Sequence, residues 1–321
     1  MSSAKEIIKQ IERAKKILIL PHLNPDGDAT SSVIALAETV KINFEDKEVT
    51  IAADLRQNNN AAFLSGFENI KLFDKIEGDD FDLVIAVDVA AKDRLGDGSV
   101  FFEKCVETAN IDHHKTNNNF AKENYVKPEL CSAGAVLCEL IEETGLKINK
   151  DIAEALYTSI LSDTGGFKYS NTTAYTLQKA SELLRYGVNP AEVYAKLFES
   201  STKEQALFSA KIISEAEFAF NNKVAYGIIT LDDMKKMNVP NGNTETVVET
   251  LKKIKTVEVA FTVKETENGF TKVSFRSKNV DVSKIAEIFG GGGHEKASGC
   301  IIKKPYLTAC NKILECLENA I

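Results

Sequence analysis

Long apolar runs are missing from this 321-residue sequence. None is long enough to span a bilayer, which argues against a membrane partner. The first sixteen residues are polar and charged and lack the apolar core of a secretory signal. Paired cysteines are missing too. Cys105, Cys131, Cys138, Cys300, Cys310 and Cys316 are scattered and none forms a CxxC pair. They read as reduced, packed thiols of a cytoplasmic protein. There is no repeat of solenoid length and no low-complexity tract. Basic residues are in deficit, 39 Lys and Arg against 47 Asp and Glu, for a formal charge of −8. Coating long nucleic acid relies on Lys and Arg neutralising many phosphates, so the balance argues against that class. It leaves room for a short phosphorylated ligand, because a bound cation and a few basic side chains supply local positive charge. Histidine is scarce as well: the chain has four.

What is present is ordinary globular sequence, 44% hydrophobic and 27% charged, long enough for about two domains. An amphipathic helix is expected over Ile7 to Lys15. Short apolar runs at 17–20, 49–53 and 83–87 read as buried parallel strands, and Asn110-Ile111 closes a fourth. Helices are expected near 31–40, 132–143, 151–161 and 174–185, with Asp151 and Glu154 as a capping pair. Strands alternating with helices predict a parallel α/β sheet with right-handed crossovers. Residues 188–220 read as a connecting helical linker. Beyond it the texture changes to strands at 223–230, 256–264 and 269–276, with a turn at Asn268-Gly269. Helices are expected at 282–289 and 309–320. This C-terminal part reads as a smaller α/β domain.

Chemistry-bearing residues follow the strand-like runs. His22, Asp26 and Asp28 come after the first, Asp88 after the third, and Asp112, His113 and His114 after the fourth. In a parallel α/β sheet, ligands bind beyond the carboxyl ends of the strands, so these residues can converge. Each has a bland alternative. Asp26-Gly27-Asp28 on a tight turn is by itself a solvated Asx turn. Asp88 alone is a helix N-cap. Asp163 is a surface residue before a glycine turn. All four histidines (His22, His113, His114 and His294) lie beside Gly-, Asp- or His-rich turns, and this joint occurrence favours a metal site. Adjacent His113 and His114 are expected to diverge, one toward a metal and the other toward substrate. Imidazole with carboxylate suits Mn²⁺, Zn²⁺ or Fe²⁺.

Four motifs carry a resemblance: His22-Leu23-Asn24-Pro25-Asp26-Gly27-Asp28-Ala29; Val87-Asp88 with Asp93-Arg94-Leu95-Gly96 behind it; Asp112-His113-His114-Lys115-Thr116-Asn117; and Ser162-Asp163-Thr164-Gly165-Gly166-Phe167-Lys168-Tyr169-Ser170-Asn171-Thr172. Phe275-Arg276-Ser277 and the run from Gly290 to Gly299 follow in the C-terminal part. The chain resembles the DHH phosphoesterase family, specifically its short members with a DHH-associated C-terminal domain, the NrnA-type oligoribonuclease and pAp phosphatase group. It departs from the family pattern at Ser31, where glycine is usual, at Val89, where threonine is, and at Lys168, where arginine is common. Lys is a point charge and Arg a planar fork, so a bidentate phosphate contact at 168 is not expected.

The resemblance implies a DHH catalytic domain over 1–187, the linker at 188–220, a DHH-associated substrate-binding domain with a mixed sheet over 221–321, and an active-site cleft between the domains. It implies two divalent ions, with Mn²⁺ usual. His22, Asp26 and Asp88 would hold one; Asp28, Asp88, His113 and Asp163 the other. His114 would face the scissile phosphate and Asp112 would orient an imidazole. Two ions about 4 Å apart share a water and lower its pKa for in-line attack. Arg276, Gly291, Gly292, Gly293 and His294 would bind substrate, with a flexible hinge as the bland reading of the glycines. Implied substrates are short RNA, linear dinucleotides such as pApA, and pAp; a homodimer is implied by family analogy. The enzymatic rival is a cyclic-dinucleotide phosphodiesterase, with inorganic pyrophosphatase ranked lower because it lacks the glycine-rich C-terminal motif. The non-enzymatic rival is a nucleotide-binding sensor. Phe167 and Tyr169 are weaker candidates for base stacking, since such aromatics are more often core.

Overall fold

The computed structural model describes residues 3–55, 60–78, 80–239, 244–318 and 320–321. The chain divides into two compact units, Met1–Ser200 and Ser201–Ile321.

The first unit runs α1 (Ser3–Arg13), β1 (Lys16–Leu20), α2 (Gly27–Asn43), β2 (Glu48–Ala52), β3 (Ile70–Lys71), β4 (Leu83–Val87), α3 (Ser99–Lys104), β5 (Thr108–Asp112), β6 (Glu123–Val126), α4 (Ala133–Thr144), α5 (Lys150–Asp163), α6 (Ala174–Leu184) and α7 (Pro190–Phe198). Its sheet is parallel throughout, in the order β3-β2-β1-β4-β5-β6. β1 and β4 are buried because Ile17-Leu18-Ile19-Leu20 and Leu83-Val84-Ile85-Ala86-Val87 present apolar side chains to both faces. The order reverses between β1 and β4. That is the topological switch point, where the crevice beyond the strand ends opens.

Helix α2 is buried over most of its length, and α5 packs along it. Two glycines permit the approach of the neighbouring helices. A Cβ on Gly27 would stand 2.5 Å from Ser162 Oγ, and one on Gly134 2.1 Å from Ser159 Oγ.

Several expectations need correction. Asp26-Gly27-Asp28 is not a free turn. Asp26 is the N-cap of α2, accepting from the Ala29 N–H at 3.0 Å, and Gly27 and Asp28 already lie in the helix. Helix α5 is capped by Asn149, whose side chain accepts from the Ile152 N–H, so Asp151 with Glu154 is not the cap. Asn149 puts its oxygen at the N3 donor while Asp151 is already inside the first turn. Residues 188–220 are not one linker. Val193 and Leu197 of α7 enter the core of the first unit, whereas α8 (Lys203–Ser214) sends Phe208 and Ile212 into a core of the second. β3, β6 and α3 were not legible, because each is short and lacks a sustained period.

After α8 the second unit continues with β7 (Glu217–Ala219), β8 (Val224–Ile229), α9 (Leu231–Lys236), α10 (Thr244–Lys252), β9 (Val259–Glu265), β10 (Thr271–Ser277), α11 (Val282–Ile288), β11 (Gly292–His294), β12 (Ala297–Ile302) and α12 (Tyr306–Glu318). Its sheet has the order β11-β12-β10-β9-β8-β7. β8 and β9 are parallel and the other pairs antiparallel, so the sheet is mixed. Phe261 and Phe275 fill the layer between this sheet and helices α11 and α12.

Candidate metal centre

The residues expected to converge in the first unit do so at the carboxyl ends of β1, β4 and β5. His22 follows β1. Its Nδ1 lies 3.0 Å from the Leu23 carbonyl, and its Nε2 faces Asp88 Oδ2 at 3.6 Å and Asp26 Oδ1 at 3.9 Å. A ring that donates from Nδ1 presents Nε2 as a lone-pair donor. Asp88 follows β4 in a left-handed conformation, φ 62°, which a short polar side chain tolerates better than most. Its Oδ1 faces His113 Nε2 at 3.4 Å and His114 Nδ1 at 3.6 Å. His113 Nε2 also faces Asp28 Oδ2 at 3.7 Å and Asp163 Oδ2 at 3.8 Å. Three groups of potential ligand atoms result: His22, Asp26 and Asp88; Asp28, His113 and Asp163; and Asp88, Asp112, His113 and His114.

His113 and His114 do not diverge as expected. Their rings are tilted by 53° with centroids 4.6 Å apart, and both reach Asp88. Residue 113 follows directly on β5, while Asp112 Oδ1 draws the next ring back by accepting from His114 Nδ1 at 2.7 Å. Asn117 Nδ2 secures the other Asp112 oxygen at 2.6 Å.

A second network fixes Asp28. Oδ1 accepts from Ser32 Oγ at 3.0 Å and Ser159 Oγ at 2.5 Å, and Oδ2 accepts from the Ala133 N–H at 2.9 Å. Ser159 Oγ in turn meets Ser132 Oγ and accepts from the Gly134 N–H. Ser32, Ser132 and Ser159 were not singled out from sequence, and Asn117 stood in the third motif without a role. The legible signal was the run of small residues Cys131-Ser132-Ala133-Gly134, where a tight helix start is needed.

The electrostatics is that of carboxylates crowded out of water. Burial, reinforced by Asp88 and Asp163, holds the Asp28 carboxyl well above its usual range. Burial also pushes Asp163 up to about 7. Burial works against the ionised Asp88 too, but the imidazoles of His113, His114 and His22 outweigh it and hold that carboxyl below its usual range. Burial opposes the charged His113 ring, yet Asp88, Asp163 and Asp28 raise it well above the ordinary histidine value. Asp112 and Asp88 raise His114 in the same way against burial. The donor set fits a divalent metal. Asp88 Oδ1 is buried, accepts no good hydrogen bond, and faces imidazole nitrogens at distances longer than such bonds.

The second unit holds the remaining candidates. Arg276 on β10 is engaged by helix α10: Nη2 donates to both Glu245 oxygens at 2.7 Å and Nε to Glu249 Oε1 at 3.2 Å. Nη1 donates to the Phe275 carbonyl. His294 is exposed on the edge strand β11. The glycines before it are shaped by the sheet. A Cβ on Gly291 would stand 2.2 Å from the Gly299 carbonyl oxygen, and one on Gly293 2.6 Å from that of Ala297. Only the Cβ position of Gly292 opens on free space among these three.

Residues 16–160 match the DHH family, N-terminal domain, and residues 221–321 the DHHA1 domain. The probable bifunctional oligoribonuclease and PAP phosphatase NrnA of Streptococcus mutans is 31% identical over 301 residues, covering 93% of both chains. The chain belongs to the DHH family. The bifunctional oligoribonuclease and PAP phosphatase NrnA of Bacillus subtilis is 28% identical, covering 92% of each chain. Among solved structures, an exopolyphosphatase-related protein of Bacteroides fragilis superposes with a TM-score of 0.88 at 26% identity, covering 98% of this chain and 94% of that one. RecJ of Thermus thermophilus, solved with Mn²⁺, shares the fold with a TM-score of 0.56 at 15% identity, covering 98% of this chain and 54% of RecJ.

This DHH protein is a phosphoester hydrolase, and its cluster of Asp and His residues is one that can bind metal. Its six cysteines are all free thiols, and among the described residues no helix is long and apolar enough to cross a membrane. Of the family departures, Ser31 is absorbed by the helix, its hydroxyl donating to the Gly27 carbonyl. Lys168 sits 5.0 Å over the Tyr169 ring.

Proposed function

We propose that this protein is a two-metal phosphoesterase that cleaves short RNA and linear dinucleotides such as pApA to nucleoside monophosphates, and removes a phosphate from pAp. The observation that carries the reading is Asp88. Its two oxygens face different imidazoles, Oδ2 toward His22 and Oδ1 toward His113, so one carboxylate belongs both to the His22 group and to the His113 and His114 group of potential ligands. Likeness over nearly the whole chain to relatives named for oligoribonucleotide and PAP hydrolysis supports the substrate class.

His22, Asp26 and Asp88 would hold one divalent ion, and Asp28, Asp88, His113 and Asp163 a second, with Mn²⁺ suited to mixed imidazole and carboxylate donors. Such a pair supplies a water acidic enough to attack at neutral pH and positive charge for the phosphoryl oxygens. The chain's own part is positional. The Ser32, Ser159 and Ala133 donors keep Asp28 in place. Asp112 fixes the His114 ring through Nδ1, which leaves Nε2 as the atom to meet the substrate phosphate, and it favours the form of the ring that holds a proton there. The C-terminal His294, with Arg276 once exchanged from Glu245, would take a second phosphate.

The test is turnover by Mn²⁺-loaded protein of pAp, pApA, a short RNA and cyclic di-AMP. Monophosphates from pApA and RNA, and phosphate from pAp, are expected. Faster opening of the cyclic dinucleotide than cleavage of pApA would transfer the protein to the cyclic-dinucleotide class. Tight binding without turnover would make it a sensor.

A further inference from the structure

Helix α7 has two faces. Val193 and Leu197 point into the core of the first unit. Tyr194 and Phe198, one position on, point outward. They are 43% and 41% exposed, with ring centroids 5.0 Å apart and planes tilted by 54°. Single exposed apolar side chains need no explanation, but two aromatic rings in contact beside a reaction centre do.

Contacts to two glycines place this helix beside the metal centre. Leu197 Cδ1 lies 3.5 Å from the Cβ position of Gly27, the residue between Asp26 and Asp28. Tyr194 Cε2 and Phe198 Cε2 lie 3.0 and 3.8 Å from the Cβ position of Gly166. Gly166 is the third residue after Asp163, so the chain holds it within about 11 Å of that carboxylate's backbone. Gly166 has a positive φ of 72° and no side chain, so nothing there stands between the rings and the turn.

The fold does not require the pair. Helix α7 is started by Asn189, which accepts from the Ala191 and Glu192 N–H groups, with Pro190 in the first turn, and it is anchored by its buried face. The other aromatics of the turn are engaged elsewhere. Phe167 meets Tyr157 edge-on beside the core, and the Tyr169 ring occupies the space next to Gly165 under the Lys168 amine.

We infer that Tyr194 and Phe198 form a stacking platform for a nucleobase of the substrate, the base next to the phosphate held at the metal centre. The inference rests on the phosphoesterase reading above and deepens it, because it gives the site a preference for nucleotides over phosphoesters without a base. Stacking suits a site that accepts many sequences. Every base offers a π face, so the platform holds short RNA without selecting among bases.

The test measures kcat/KM on pApA and on the same dinucleotide made abasic at both riboses, with the full Mn²⁺-loaded chain. Wild type, the double variant Tyr194→Leu/Phe198→Leu and the aromatic exchange Tyr194→Phe/Phe198→Tyr are compared, with the single Phe198→Leu in reserve should the double variant melt early. The preference of wild type for pApA over the abasic analogue is expected to fall about tenfold or more in the leucine variants and to persist in the exchange. A dinucleotide carrying 2-aminopurine should lose fluorescence on binding to wild type and keep it with the leucine variants. An unchanged preference, or quenching that survives the leucine substitutions, overturns the platform. Wild type that cleaves no pApA overturns the phosphoesterase reading instead, and the quenching measurement, which needs no turnover, still decides the platform.

Discussion

Asp112 Oδ1 accepts a hydrogen bond from His114 Nδ1 at 2.7 Å, and the carboxylate is wholly buried. Asp112→Asn keeps the shape and removes the charge that favours a protonated ring. It is expected to lower kcat about 10- to 100-fold, as loss of a partner behind a site residue does, and to lower the melting temperature as well, because the new amide NH2 must face one of the two donors that the buried carboxylate accepts from. Steady-state kinetics with a thermal melt checks this. An unaffected kcat would remove Asp112 from the mechanism.

Asp88 is common to two of the ligand groups. Asp88→Ala should therefore lower both the amount of Mn²⁺ bound and the turnover of every substrate. The loss should exceed the roughly hundredfold that removing an outer partner costs. Metal titration by calorimetry beside the activity assay decides it. Two ions bound with near-normal turnover would sink the shared-carboxylate assignment.

Metal affinity should rise with pH. Asp163, at about 7, and Asp28, raised well above its usual value, must shed protons to act as ligands, and so must His113, which is also raised. In the metal-free protein the sign is the reverse for stability. Folded Asp163 and Asp28 hold protons that the unfolded chain releases near the ordinary aspartate value of 3.8, so stability falls as pH rises from there through their folded pKa values. His113 adds to the same trend, since the stability it contributes is full below the ordinary histidine value of 6.5 and is lost as pH rises through its raised folded pKa. Chelated protein should thus melt lower at pH 8 than at pH 6, with the difference narrowed by Mn²⁺. Proton release on Mn²⁺ binding, measured in buffers of different ionisation enthalpy, provides the second check.

In the second unit, Arg276→Ala and His294→Ala should behave differently. Arg276 is 18% exposed and holds Glu245 and Glu249, so its loss leaves a half-buried carboxylate cluster and is expected to cost about 2 kcal/mol of stability. His294 is exposed on an edge strand, so its loss should leave the melting temperature alone and act on substrates that carry a second phosphate. A small activated diester should be spared by His294→Ala, whereas pAp and pApA should suffer. Equal damage to all three would place His294 in the bond-breaking chemistry.

Gly134→Ala offers a packing test remote from any titration. Its Cβ would stand 2.1 Å from Ser159 Oγ, which holds Asp28. Overpacking of about 1–3 kcal/mol is expected, together with weaker Mn²⁺ binding as Asp28 shifts. A stable variant with unchanged metal affinity would show that the serine network does not position Asp28.

Much of the centre was legible because strand ends are legible. Three short apolar runs with Asp or His at or just past their ends, in an alternating α/β pattern, already place His22, Asp88 and Asp112-His113-His114 on one edge of a sheet. The local chain was also enough to put Asp163 between a helix and a glycine turn, although the helix reaches Asp163 itself and not only residue 161. The remainder was settled by packing. Whether Asp26 is a loop ligand or a helix cap depends on where α2 begins, and Gly27 packing against Ser162 fixes that. That neighbouring histidines share one carboxylate depends on Asp112 drawing back the second ring. The clamp of α10 on Arg276, the sheet packing of Gly291 and Gly293, and the outward turn of Tyr194 and Phe198 leave no periodic trace. Each arises between elements distant in sequence, where geometry is set by what packs across the gap and not by the local chain.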